Sequence, residues 1–260
     1  MTRFRHIPNH FHDDNDDDAN IPGLIALDGD VRALPGFAEF DKAEREKKAV
    51  HRYSEDYLER QILWAWIHEL EMRNDRARRV HREAKQCRRL LVEICGRHGE
   101  LVLSEAFDRK APAVEAIGAW AQDPKRCLAV LSGPPGTGKT TTAACWAFWF
   151  ASGSPSRFPT WITAAAFARS SRYGDERDGL LKASALVIDD LGVEYLDAKG
   201  SFKVDLDELV DRFYASGRPL VITTNLDPRQ FEERYGARVV DRFAEAGSWI
   251  VCAGPSRRTK

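Results

Sequence analysis

The sequence has no run approaching the roughly eighteen uninterrupted apolar residues of a membrane-spanning helix, which excludes an integral helical membrane protein. It has no apolar stretch behind the basic residues at its start, so no secretory leader is expected. Charge of one sign is not in excess. The 39 Lys and Arg face 40 Asp and Glu, leaving a net charge of −1. Contact with nucleic acid over the whole surface is therefore not expected, and any such contact must use a local patch. Cysteines number only five, at positions 87, 95, 127, 145 and 252, an odd count whose spacing suggests no bridged framework. A reducing cytoplasm is the expected setting. Against these absences, 43% of the 260 residues are hydrophobic, enough to fill the core of one full domain with an appendage.

Three regions differ in composition. Residues 1–40 carry the acidic run Asp13, Asp14, Asp16, Asp17 and Asp18, which repels itself and offers little to bury; a mobile, solvated tail is expected. Residues 41–110 read as helical. Leu58, Ile62, Trp66 and Leu70 recur four apart with Leu63 and Ile67 beside them, and a second stripe runs through Val80, Cys87, Leu90, Leu91 and Ile94 until Gly96 and Gly99 end it. Asn74 to Arg79 interrupts the stripe without Pro or Gly, which leaves open whether one helix continues or two meet. Eight basic residues between Arg73 and Arg89 stand against Asp75 and Glu83; they suit either a solvated helix face or a surface for phosphate or an acidic protein. His81, Cys87, Cys95 and His98 match no standard zinc spacing, and the two cysteines fall on the apolar face, so core packing is expected and zinc is not.

From 111 to 260 short apolar runs alternate with helical stretches. Cys127–Leu131, Thr160–Thr163, Ala185–Asp189, Leu220–Thr224 and Trp249–Ala253 read as strands, separated by helices such as Lys139–Ser152, Val204–Ser216 and Arg229–Ala246. Strands separated by helices predict an α/β fold, a five-stranded parallel sheet flanked by helices, with ligands bound beyond the carboxyl ends of the strands.

The chemistry is expected there. Gly133, Pro134, Pro135, Gly136, Thr137, Gly138, Lys139 and Thr140 fit G-x-x-x-x-G-K-[ST] directly after an apolar strand and directly before a helix. Glycines let successive backbone N–H groups turn inward on a phosphate, and the start of the helix adds positive potential. In such a loop Lys139 faces the β- and γ-phosphates, the Thr140 hydroxyl ligates magnesium, and Thr141 follows in the first turn. Fifty residues after Lys139, the apolar run Ala185–Ile188 ends in Asp189 and Asp190. Asp189 suits a magnesium ligand through water, and Asp190 suits a base that orients the attacking water. Asn225, at the end of a strand expected beside that of the loop, can reach both the γ-phosphate and that water. Arg238 and Arg242 lie four apart on one helical face, and Arg257 and Arg258 follow the last strand; guanidinium groups are expected donors where charge develops on phosphate.

This set resembles the AAA+ ATPases over about residues 112–260. More narrowly it resembles the DnaC/DnaI-type helicase loaders and the related IstB-type transposition helpers, through Val187–Gly192, Thr224–Asn225, Ala237–Phe243 and Gly254–Arg258. The resemblance implies Asp190 as the catalytic acidic residue, where most AAA+ proteins carry Glu. It implies Asn225 as sensor 1, Arg242 as the arginine finger completing a neighbouring subunit's site, and Arg258 as the sensor 2 arginine, with Arg257 where an aromatic is usual. The sequence stops two residues after Arg258, so little or no C-terminal lid is expected and activity is expected to depend on assembly. The implied function is ATP- and Mg2+-dependent loading of a hexameric replicative helicase by an oligomer that touches single-stranded DNA. The helical region would grip the helicase, with Trp64, Trp66 and Ile67 as anchors if exposed. Phe167, Arg169, Arg172, Tyr173 and Arg177 mix basic and aromatic character, as a strand-binding surface would. The alternatives are a transposition helper that recruits a transposase, and an ATP-binding switch with negligible turnover.

Overall fold

The computed structural model describes residues 21–27, 30–49, 54–152, 154–170, 175–194 and 201–256. The acidic run at 13–18, Arg172, Tyr173, Arg257 and Arg258 lie outside the described residues. The chain divides into two compact units, Met1–Lys85 and Gln86–Lys260. The last turns of the second helix therefore group with the sheet.

In the first unit, a 3-10 turn at Val31–Ala33 leads into α1 (Phe37–Lys48) and then α2 (Glu55–Cys95), whose residues from Gln86 on belong to the second unit. Trp66 organises this unit. It is 1% exposed, its indole N–H donates to Val31 O at 2.8 Å, and the rings of Phe37 and Phe40 pack on it at 5.9 and 5.0 Å. Ile62 and Leu70, one turn either side, are buried with it, as the spacing of four predicts. Asn74 does not end the helix. Its buried amide takes the N–H of Ile25 at 2.7 Å and donates to Ile25 O at 2.8 Å, so a polar residue in the stripe is satisfied by the backbone of the preceding segment. Trp64 instead points outward, 67% exposed and stacked on His68. Of the three expected anchors, Trp66 is core, Ile67 is half-buried and Trp64 is at the surface.

In the second unit, α3 (Arg97–Leu103) and α4 (Pro112–Gln122) precede β1 (Leu128–Ser132) and α5 (Lys139–Ala151). There follow β2 (Thr160–Thr163), α6 (Ala164–Arg169), α7 (Asp175–Lys182), β3 (Leu186–Leu191) and α8 (Ser201–Ser216). The last elements are β4 (Leu220–Thr224), α9 (Pro228–Tyr235), α10 (Ala237–Ala246) and β5 (Gly247–Val251). The five strands form one parallel sheet in the order β2-β3-β4-β1-β5. Side chains alternate between its faces. Leu128, Val130, Leu186, Ile188, Leu220 and Ile222 pack into one core with Phe213 and Phe231, while Ala129, Leu131, Val187 and Val221 pack into another with Ile117 and Trp146. Both faces are covered, which is why β1 and β4 are buried at every position and read as apolar runs up to Ser132 and Thr223.

Two expectations are corrected. The helix expected over Arg229–Ala246 is two helices, because Gly236 adopts φ 99°, a left-handed value that ends α9 and re-aims the chain. The described members of the basic-aromatic stretch do not share one open surface. Phe167 is core, edge-on to Phe202, and Arg177 is nearly buried in ion pairs with Asp205 and Glu208 of α8 at 2.8 and 2.5 Å. Arg169 remains exposed.

Candidate functional site

The loop Gly133–Gly138 leaves the carboxyl end of β1 and enters α5. Gly133 is required by close approach as well as by its φ of 144°: a Cβ there would lie 2.3 Å from the backbone oxygen of Cys252, at the exit of β5. The loop is tied internally. Thr137 Oγ1 donates to Pro134 O at 2.9 Å, and the buried Lys139 ammonium donates to Gly133 O and Pro134 O, each at 2.8 Å. No acidic residue lies in the first turn of α5, so the N–H groups of that turn and the helix dipole favour an anion.

Beside the loop, Thr140 Oγ1 donates to Asp189 Oδ1 at 3.1 Å. The same oxygen accepts from Thr223 Oγ1 of β4 at 2.6 Å, and the Thr223 hydroxyl in turn accepts the Asp190 N–H at 2.8 Å. Asp189 is buried. Burial pushes its carboxyl up from the usual range, the Thr223 hydrogen bond opposes that, and the neighbouring Asp190 charge adds to it. A buried carboxylate and a hydroxyl 3.1 Å apart are hard oxygen donors of the kind magnesium takes together with waters, so the residues present fit that ion. Asp190 is exposed with φ 58°, and no other non-glycine among the described residues has a positive φ. It stands where the register of β3 against β4 breaks, between Ile188 and Leu191. Strained backbone of this sort concentrates at functional positions.

The β1–β4 pairing ends at Ser132 and Thr224, so Asn225 and Gly133 are the first residues past it on the two strands, and Asn225 is exposed. Thr141, in the first turn of α5, is buried and shares a 2.9 Å hydrogen bond with His98 Nδ1 of α3. A cleft flanks Gly138; Phe107, Pro112, Val114, Thr137, Thr141 and Cys252 help to line it.

Arg242 is not brought to the loop's partners by its own chain's contacts. Its Nε donates to Asp211 at 2.9 Å, its guanidinium lies 4.7 Å over the Tyr214 ring, and Glu245 is 3.9 Å away. Arg238 also pairs with Asp211, and with Asp207 at 3.4 Å. The Arg242 side chain is 31% exposed, so it is neither sealed in the core nor free. Arg258 lies outside the described residues.

Sequence reasoning missed Thr223, whose signal was a pair of hydroxyls closing an otherwise apolar strand. It also missed the cleft beside Gly138 and a buried carboxylate, Glu194, just past β3. Glu194 Oε1 accepts from Arg234 Nε and Nη2 at 3.0 and 2.9 Å and from Tyr235 OH at 2.7 Å, while its Oε2 accepts the Gly192 N–H at 2.7 Å.

The loop, the paired carboxylates and the sheet make up a parallel α/β domain with a phosphate-loop motif at the carboxyl end of β1. No family model matches the chain, and no curated protein does. Among solved structures the chain is similar to a DnaC helicase loader, 18% identical over 56% of this chain and 94% of that one, with a TM-score of 0.47. It is similar to a DnaI at 22% identity over 56% and 81%, TM-score 0.42. A third similarity is to domain III of the Thermotoga maritima replication initiation protein DnaA, at 19% identity over 56% and 63%, TM-score 0.46. Among the described residues no helix is long and apolar enough to cross a membrane.

Proposed function

We propose that this chain is an ATPase that works as an oligomer to load a hexameric replicative helicase onto single-stranded DNA. The observation that carries the ATPase part is the convergence of Lys139, Thr140, Asp189 and Thr223 behind a glycine-bearing loop at the carboxyl end of β1. The triphosphate would lie in the loop, its β-phosphate on the first N–H groups of α5, and the base in the cleft beside Gly138. Lys139, now bonded to two loop carbonyls, would exchange these for β- and γ-phosphate oxygens. Magnesium, held by Thr140 and Asp189, would neutralise charge on the phosphates. Asp190 would orient the attacking water and accept its proton, and Asn225 would hold that water against the γ-phosphate. Arg242 would reach a neighbouring subunit's γ-phosphate, trading its bond to Asp211 for phosphate oxygens; Arg258 would approach from the chain's own last segment.

The loader assignment is supported by the resemblance of the motifs around Asp189–Gly192, Asn225 and Arg242. It is also supported by the outward Trp64 on α2, an aromatic of the kind that anchors protein interfaces.

The reading predicts that Lys139→Ala and Arg242→Ala proteins are each inactive alone and recover Mg2+-dependent hydrolysis when mixed, because one supplies an intact loop and the other an intact finger. Failure to recover would overturn the shared site. Capture from native cells with ATP present tests the partner: a helicase upholds the loader reading, and a transposase replaces it with the transposition helper.

A further inference from the structure

Asp190 is held in an unfavourable backbone conformation at a break in the β3–β4 ladder, and something must hold it there. On one side its N–H is fixed by Thr223, and Thr224 Oγ1 donates to Leu191 O at 2.6 Å. On the other side the turn Leu191–Glu194 is closed by the Glu194 carboxylate, which takes the Gly192 N–H. That carboxylate is wholly buried, its side chain 0% exposed, and Arg234 and Tyr235 at the end of α9 satisfy it. Arg234 Nη2 also donates to Glu194 O at 2.7 Å, so the fork grips main chain and side chain together. The start of α9 is capped by Asp227, two residues past Asn225. The grip therefore joins the segment bearing Asp190 to the helix that continues from Asn225.

Simple packing does not call for a buried carboxylate, because apolar residues of similar volume fill such a space at no cost in desolvation. An ionic fork with four hydrogen bonds to the carboxylate fixes a turn in one geometry. We infer that Glu194, held by Arg234 and Tyr235, is a positioning residue that sets Asp190 relative to Asn225 and so governs the hydrolytic step while leaving nucleotide binding alone. This rests on the ATPase reading above.

Hydrolysis by the full chain is measured for Glu194→Gln, Tyr235→Phe and Asp190→Asn, with affinity for a fluorescent ATP analogue and a thermal melt for each. Glutamine must turn its NH2 toward either Gly192 N–H or Arg234, and both are donors, so the turn loosens with little change in shape. The expected result for Glu194→Gln is a kcat lower by about tenfold, with KM and analogue affinity within about twofold of wild type. Tyr235→Phe removes one donor and should fall between. In the Asp190→Asn background, Glu194→Gln should slow hydrolysis no further, because it acts through the group already removed. A kcat within about twofold of wild type, a raised KM at unchanged kcat, or an additive loss on top of Asp190→Asn would each overturn the inference. If Glu194→Gln does not fold, Tyr235→Phe and Arg234→Lys carry the same cycle. Wild-type hydrolysis that Asp190→Asn slows to a low but measurable rate upholds the ATPase reading whatever Glu194 does; a wild type that never hydrolyses ATP overturns both.

Discussion

Thr223 offers the sharpest stability test of the site. Its hydroxyl is fully buried, donates to Asp189 at 2.6 Å and accepts from Asp190 N at 2.8 Å. Thr223→Val keeps the shape and removes both bonds. Losing a hydrogen bond to a buried carboxylate costs about 1.5–3 kcal/mol, and the part-buried Asp190 N–H, open to water, adds up to about 1 kcal/mol. The methyl that replaces the hydroxyl returns up to about 0.8 kcal/mol. The net loss is about 2 kcal/mol, which for a unit of this size lowers the melting temperature by about 6 °C. Thr223→Ser keeps both bonds, loses only a methyl, and should cost about 1 kcal/mol. Calorimetric melts of the three proteins without nucleotide decide the matter. If Val and Ser variants melt within about 2 °C of each other, the hydroxyl bridge between the two carboxylate positions contributes nothing and the reasoning fails.

Because burial holds the Asp189 carboxyl above its usual range, its charge is carried at a cost near neutral pH; Asp189→Asn should melt above wild type in a metal-free scan, and added Mg2+ and ATP should stabilise wild type alone. Cys95 and Cys145 are pushed up to about 12, chiefly by burial, so they stay protonated until the pH nears that value; a thiol reagent at pH 8 should leave both unlabelled in the native chain and label them in urea. Trp66→Ala should cost about 3–5 kcal/mol in a denaturant melt, whereas Trp64→Ala should leave stability within about 0.5 kcal/mol and reduce partner capture.

Much of this was legible in the sequence. The phosphate loop and the Asp189–Asp190 pair are local patterns, a few residues long, flanked by a strand and a helix that their own periodicity announces. The placing of β4 beside β1 followed from the expected parallel sheet, and with it the position of Asn225. What stayed hidden depends on pairings between distant segments. Glu194 meets Arg234 across 40 residues, and Asn74 meets Ile25 across 49. Neither shows a spacing or a repeat. Phe167 and Arg177 were misread because a six-residue helix and an eight-residue helix are too short for periodicity to say which side faces the core. Gly236 was readable as a breaker and was passed over in favour of the longer apolar pattern.

The central strands β1 and β4 have a hydrogen-bonded neighbour on each edge and a packed layer on each face. Their amides can trade protons for deuterons only when the whole second unit opens, so they should be the last in the chain to exchange. The phosphate loop springs from one of these strands and Thr223 sits on the other. The loop and the hydrogen-bonded carboxylate beside it are thus mounted on the part of the molecule that opens most rarely.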